Sequence, residues 1–202
     1  MTTPTADDRP FRRPPDQLGC VVPDLDAAIA EWTAAGVGPF LTMKGAVLED
    51  YVYASRASRP KLDVAFSQQG DLQIELIQPV GHEPSAYRDF LAAGGNGPHH
   101  HGWFCEDYTS DVIAARAEGR RELHQGRWGA LHFVYFQPAE GDELIGELIE
   151  MNTLSEQIFA LVRREAERWD GRTAQRPLLA AAGWGLRMTA VRVQLAQLLG
   201  RG

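Results

Sequence analysis

Cysteine is scarce in this chain of 202 residues: Cys20 and Cys105 are the only two, too few for a disulfide framework. Positive charge is also thin. There are 20 Lys and Arg against 27 Asp and Glu, a net charge of −7 with no basic cluster, so a phosphate backbone is repelled and no nucleic acid partner is expected. Long apolar runs are missing as well. The longest stretch, PLLAAAGWGLRM from Pro177, is interrupted by two glycines and Arg187 and falls short of the about 20 residues that cross a bilayer, so no membrane span is expected. No apolar run preceded by positive charge marks a secretory signal, which makes the reducing cytoplasm the expected compartment. Phosphate-binding glycine loops, dinucleotide fingerprints and nucleophile elbows are all missing too.

What is present, 44% hydrophobic and 23% charged residues, suits a globular chain of one or two domains. Residues 1–15 are rich in proline and charge without periodicity and are expected to be a mobile extension. From Gln17, QLGCVVPDLDAAIAEWTAAG reads as a strand, a turn at Pro23 and Asp24, and a helix with Leu25, Ile29 and Trp32 on one side, closed by Gly36. The same pattern returns later. Laying Gln17 on His100 brings Gly19 onto Gly102, Asp24 onto Asp107 and Gly36 onto Gly119. A second echo pairs LQIELIQP from Leu72 with LIGELIEM from Leu144, matching Glu75 to Glu147. With the strand-like segments between these ends, each half reads as βαβββ, an α+β architecture. Residues 16–81 form the first module, 82–95 a linking helix, 96–152 the second module and 153–202 a C-terminal helical extension.

Strand alternation then defines a candidate site. Gln17, Gly19 and Val21 share one face, and His100, Gly102 and Phe104 share the equivalent face of the second module, opposite His99, His101, Trp103 and Cys105. Glu75 and Glu147 occupy matching places on the strands that end each module. If the modules pair symmetrically, Gln17, Glu75, His100 and Glu147 converge. One nitrogen and three oxygen donors suit one divalent ion, Zn, Co, Ni, Mn or Fe, without choosing among them. Each residue also has a plainer reading, as a solvated strand glutamate or a glutamine bonded to backbone. His99 and His101 are expected to be structural or to orient His100. His132 in ALHFVYF is a candidate proton donor or an ordinary strand histidine. Tyr51, Tyr53, Phe66, Tyr135 and Phe136 are candidates for a pocket or the core, Cys20 and Cys105 read as small buried hydrophobes, and His82 and His124 receive no role.

The paired modules, the four repeat-related polar residues and GPHHHGWFCED together resemble the vicinal oxygen chelate superfamily, over about residues 17 to 152. That superfamily includes glyoxalase I, methylmalonyl-CoA epimerase, extradiol dioxygenases and fosfomycin-resistance enzymes. The resemblance implies a cupped mixed sheet around one divalent metal, with His100 as the ligand from the Gly-x-His-His pattern. Gln17 departs from the histidine usual in the epimerases but is similar to the Gln, Glu, His, Glu order of animal-type glyoxalase I. The implied activity is a metal-dependent isomerase or epimerase, or a lyase of the glyoxalase type. It would act on a small molecule next to a carbonyl, a thioester or an α-hydroxy or α-keto compound, through an enolate or enediolate. Glu147 is the first candidate for the base, then Glu75, then His132. Two alternatives stay open: an Fe(II) extradiol-type dioxygenase, against which Gln17 counts because a second histidine is wanted there, and a metal-free small-molecule-binding protein.

Beyond the modules, SEQIFALVRREAERW from Ser155 carries an apolar stripe of Ile158, Leu161, Val162 and Trp169, and a further helix is expected after Pro177 with Met188, Val191, Leu195 and Leu198. Such helices need a surface. Either the chain's own sheet or a second subunit, giving a homodimer, would supply it.

Overall fold

The structure, a computed structural model, describes residues 9–182. In the first half β1 (Gln17–Val21) leads to α1 (Leu25–Ala34), β2 (Phe40–Val47), β3 (Glu49–Tyr53), β4 (Arg56–Ser58), β5 (Lys61–Gln69) and β6 (Leu72–Val80). After α2 (Ala86–Ala92) the second half comprises β7 (Gly97–Cys105), α3 (Tyr108–Ala117), β8 (Glu122–Trp128), β9 (Leu131–Phe136) and β10 (Ile145–Glu150). Then follow α4 (Thr153–Glu167), β11 (Gln175–Pro177) and the single turn α5 (Leu178–Ala181). The helix starts repeat as the sequence implies: Asp24 accepts from the Ala27 amide at 3.0 Å and Asp107 from the Ser110 amide at 3.2 Å. The helix of the extension begins earlier than its sequence suggested, with Asn152 as its cap and Ser155 in its first turn.

All the described strands join one sheet in the order β11-β2-β5-β6-β1-β7-β10-β9-β8-β3-β4. At its centre β1 runs antiparallel to β7, while β6 and β10 lie outside them, each parallel to its neighbour. The first half departs from a plain βαβββ unit. Val47 ends β2 on one flank, and after Leu48 alone the chain enters β3, which pairs with β8 on the opposite flank. One residue spans only a few ångströms, so the flanks meet there and the sheet is curled into a cup.

Alternation sorts the apolar residues into three layers. On the outer face of the first half Cys20, Ile74 and Leu76 pack with Leu25 and Ile29 of α1, and on that of the second half Cys105, Val134 and Leu148 pack with Val112 and Ala115 of α3. Both cysteines are buried hydrophobes. The cup's interior holds Val21, Leu41, Val64 and Ile77 with Ile158, Leu161 and Val162 of α4. The extension therefore takes up the chain's own sheet, each of those three side chains contributing roughly 1.5–3 kcal/mol by burial. The expected helix around Met188 to Leu198 lies outside the described residues.

Residues 9–15, expected as part of a mobile extension, lie against the second half. Phe11 sits 4.7 Å from the Trp103 ring and beneath the Arg120 guanidinium, and the Trp103 indole N–H donates to the Arg13 carbonyl at 3.0 Å. An aromatic among prolines gave that short segment something to anchor.

Candidate metal centre

Register explains why the four sequence-selected residues meet the same space. Gln17 stands opposite Gly102 and Gly19 opposite His100 across β1 and β7, while Glu75 neighbours Gly19 and Glu147 neighbours Gly102 on the outer pair of strands. Each glycine makes room for the other module's donor. A Cβ on Gly19 would fall 1.8 Å from the His100 ring, and one on Gly102 would fall 2.9 Å from Gln17 Oε1. The repeated glycines are thus a condition for the positions of the His100 and Gln17 side chains.

His100 is fully buried, with Nε2 at 3.0 Å from Glu147 Oε2 and 3.5 Å from Glu75 Oε2. Three ligand atoms, one from each of Glu75, His100 and Glu147, lie within 4.8 Å of one another. Burial pushes the imidazole down, but Glu147 and Glu75 outweigh it and raise His100 to about 9. Glu147 is itself raised, chiefly by burial and further by Glu75, with His100 opposing.

Two buried oxygens here, Gln17 Oε1 and Glu147 Oε2, have no hydrogen-bond partner. The Glu147 oxygen lies close to His100 Nε2 but is not aligned for a hydrogen bond with it. Gln17 spends its amide N–H on Gln73 Oε1 at 2.7 Å. Orphaned acceptors are costly unless something else satisfies them. Two carboxylates and an amide oxygen that line a common cavity, with the His100 imidazole nitrogen beside the carboxylates, fit a divalent first-row ion.

Two groups that alternation did not reveal complete the surroundings. The pairing of β1 with β7 slips between Gly19 and Cys20, where Cys20 pairs with Pro98, so His99 is an extra residue in a bulge. Its ring turns inward, 5.7 Å from Tyr87 and 6.3 Å from Tyr135, rather than sharing the outer face with His101. Burial, with His100 adding to it, lowers His99 to about 3, so it is neutral. Its Nδ1, 3.1 Å from His100 Nδ1, is able to accept a proton from it, which leaves His100 Nε2 toward Glu147 and Glu75. The Tyr135 hydroxyl is 3.4 Å from His100 Nε2 and 3.2 Å from the Tyr87 hydroxyl, which donates to it.

Residues 16–136 match the model of the Glyoxalase/Bleomycin resistance protein/Dioxygenase superfamily. The chain belongs to that superfamily. This agrees with the resemblance to vicinal oxygen chelate proteins read from the sequence. Similar solved structures include a hypothetical protein from Bacillus halodurans, 16% identical over 68% of this chain and 94% of the other, with a TM-score of 0.51. Methylmalonyl-CoA epimerase from Mycobacterium tuberculosis is 22% identical over 71% of this chain and 91% of its own, with a TM-score of 0.49. A mutant 4-hydroxymandelate synthase from Streptomyces coelicolor is 19% identical over 72% of this chain and 50% of its own, with a TM-score of 0.48. At such identities the likeness speaks for the superfamily's fold alone. No curated protein matches the chain.

Within this superfamily fold, the structure does not bring His132 to the other candidates. Its neighbours Leu131 and Phe133 line the cavity, so by alternation His132 faces outward, where it is exposed and sits 2.6 Å from Glu150. Of the two readings its sequence allowed, proton donor or ordinary strand histidine, that position suits the second. Of the aromatic candidates, Phe66 and Tyr135 line the cavity, Tyr51 is buried in the cup's core and Phe136 faces outward. His124, given no role from the sequence, belongs to the same surroundings. It is buried in β8, stacked 4.0 Å from the Tyr135 ring, and burial holds it well below the ordinary histidine range. A histidine alternating within ELHQGRW was the signal available for it. Among the described residues no helix is long and apolar enough to cross a membrane.

Proposed function

We propose that this protein is a metal-dependent isomerase or epimerase that removes and returns a proton on the carbon next to a carbonyl. The observation that carries this reading is the convergence of Glu75, His100 and Glu147 on one another, beside the unpartnered Gln17 oxygen, with both glutamates facing the cavity. Those four residues would hold one divalent ion. Such an ion supplies Lewis acidity toward a carbonyl oxygen, which makes the adjacent C–H more acidic.

The protein's own groups account for the rest. Glu147 is the base: it is buried, raised toward the range where a carboxylate takes up a proton, and open at Oε2. Glu75, across His100 and less buried, is the next candidate and is placed to receive or return a proton on the other side. His99 fixes the tautomer and orientation of His100. The apolar cavity walls exclude water from the carbanion equivalent.

The test is hydrogen exchange. A substrate with an acidic hydrogen next to its carbonyl should take up solvent deuterium with metal-loaded protein, read by mass spectrometry across α-hydroxy and α-keto carbonyl compounds and 2-substituted acyl-CoA thioesters. Oxygen uptake without exchange would replace this reading with the Fe(II) dioxygenase one. A single histidine among the donors speaks against that outcome.

A further inference from the structure

Glu75 and Glu147, which converge on His100, face a cavity whose other walls are largely apolar side chains. Its walls come from three sources: Met43, Leu62 and Val64 of the first half, Trp128 and Phe133 of the second, and Phe159 of α4. No Lys, Arg or His is among the described residues that line it. Apart from the Trp128 indole N–H, the polar side-chain groups among the described lining residues are those of Gln17, Glu75 and Glu147 and the hydroxyls of Tyr87 and Tyr135, which bond each other.

From this lining we infer the substrate class: an uncharged carbonyl compound, hydroxylated or oxidised at the neighbouring carbon, whose aryl or alkyl body is buried among these walls, with Phe159 selecting for that body. The inference rests on the proposed reacting centre. A phosphate or carboxylate on the buried body would lose its water and find no cation among the described lining residues, and the two glutamates would repel it. A hydrocarbon body gains what the anion loses. A coenzyme A tail finds no cation among the described lining residues, so a thioester would enter by its acyl end alone.

Phe159 belongs to α4, beyond the stretch that matches the superfamily. It is stacked at 4.6 Å on Phe104, which shares its strand face with His100, and lies 6.3 Å from Phe66. The extension thereby sets a specificity wall that the two modules alone do not provide.

The test uses full-length protein, metal-loaded and chelator-treated, with three probes: 2-hydroxy-1-phenylethanone, its 4-carboxy derivative and hydroxyacetone. Binding is followed by tryptophan fluorescence and ligand-observed NMR. The phenyl compound should bind at least tenfold tighter than either other probe in both protein states. Phe159→Ala should erase most of that preference by weakening the phenyl compound far more than hydroxyacetone, with metal content retained, and Phe159→Leu should keep much of it, showing that the fold is intact. Equal binding of the 4-carboxy or hydroxyacetone probe, or an unchanged preference in Phe159→Ala, would overturn the inference. If the phenyl preference persists but dialysis finds no retained metal, the metal reading fails and the substrate class stands.

Discussion

Gln17 and His100 occupy the same place in two copies of one frame, yet one offers a neutral amide oxygen and the other a fully buried imidazole. Each lies over a glycine of the other module, and each has a glutamate on the neighbouring parallel strand. The first half spends part of its donor on Gln73, leaving a neutral oxygen. The second places a fully buried imidazole between two carboxylates and backs it with His99 from a bulge in its own strand. The duplicated frame sets where donors point, and the side chains at equivalent places set what each half contributes. Geometry is shared; chemistry is not.

The glutamates give the largest contrast. Glu147→Gln keeps an oxygen for a metal but removes the proton acceptor, so turnover should fall by about 10²–10⁴-fold with metal content retained. Deuterium exchange by the folded, loaded variant checks this; undiminished exchange would pass the base role to Glu75.

Packing offers the next. Gly19→Ala drives a methyl into the His100 ring and should destabilise by about 3 kcal/mol, the upper end for overpacking, whereas Gly102→Ala meets Gln17 Oε1 at 2.9 Å and Ile149 Cδ1 at 3.0 Å, contacts that smaller shifts relieve, and should cost about 1 kcal/mol. Urea denaturation of both variants measures the difference. Equal losses would mean that the halves do not differ in packing.

Within the histidine run the contrast is smaller. His99→Phe should weaken metal affinity by about 10- to 100-fold, the scale for a partner that orients a ligand, and His101→Ala should change it little. Competition with a chelator of known affinity reads both, and the reverse order would show that the bulge does not turn His99 inward. Least of all, His132→Asn should leave exchange rates unchanged, because that side chain lies on the outer surface beside Glu150.

Much of this site was legible in the sequence because internal repetition carries spatial information. The matches of Gly19 to Gly102 and Glu75 to Glu147 survive into register, and strict alternation places Gln17, Glu75, His100 and Glu147 on the inner face. Where alternation is interrupted, the sequence reading fails. The bulge at His99 inverts one side chain, and nothing in HHH marks which residue is the extra one. The passage from β2 to β3 depends on pairing with β8, far along the chain, so AVLEDYVYAS reads as one strand although it serves both flanks. His132 sits among aromatics with a strand period and was named for its chemistry, while its face is decided by Phe133 and Tyr135 turning inward. The C-terminal helix showed its apolar stripe in advance. That the stripe would wall the cavity with Phe159 depends on how far the cup curls, which no local pattern encodes.

The central claim is that the two halves join in one metal centre built on His100. Its most direct test is metal stoichiometry, measured by elemental analysis of wild-type, His100→Ala and His101→Ala proteins after loading and dialysis. One divalent ion per chain should remain in wild type and in His101→Ala and be lost from a folded His100→Ala. No retained ion in wild type, or full retention in His100→Ala, would contradict the account.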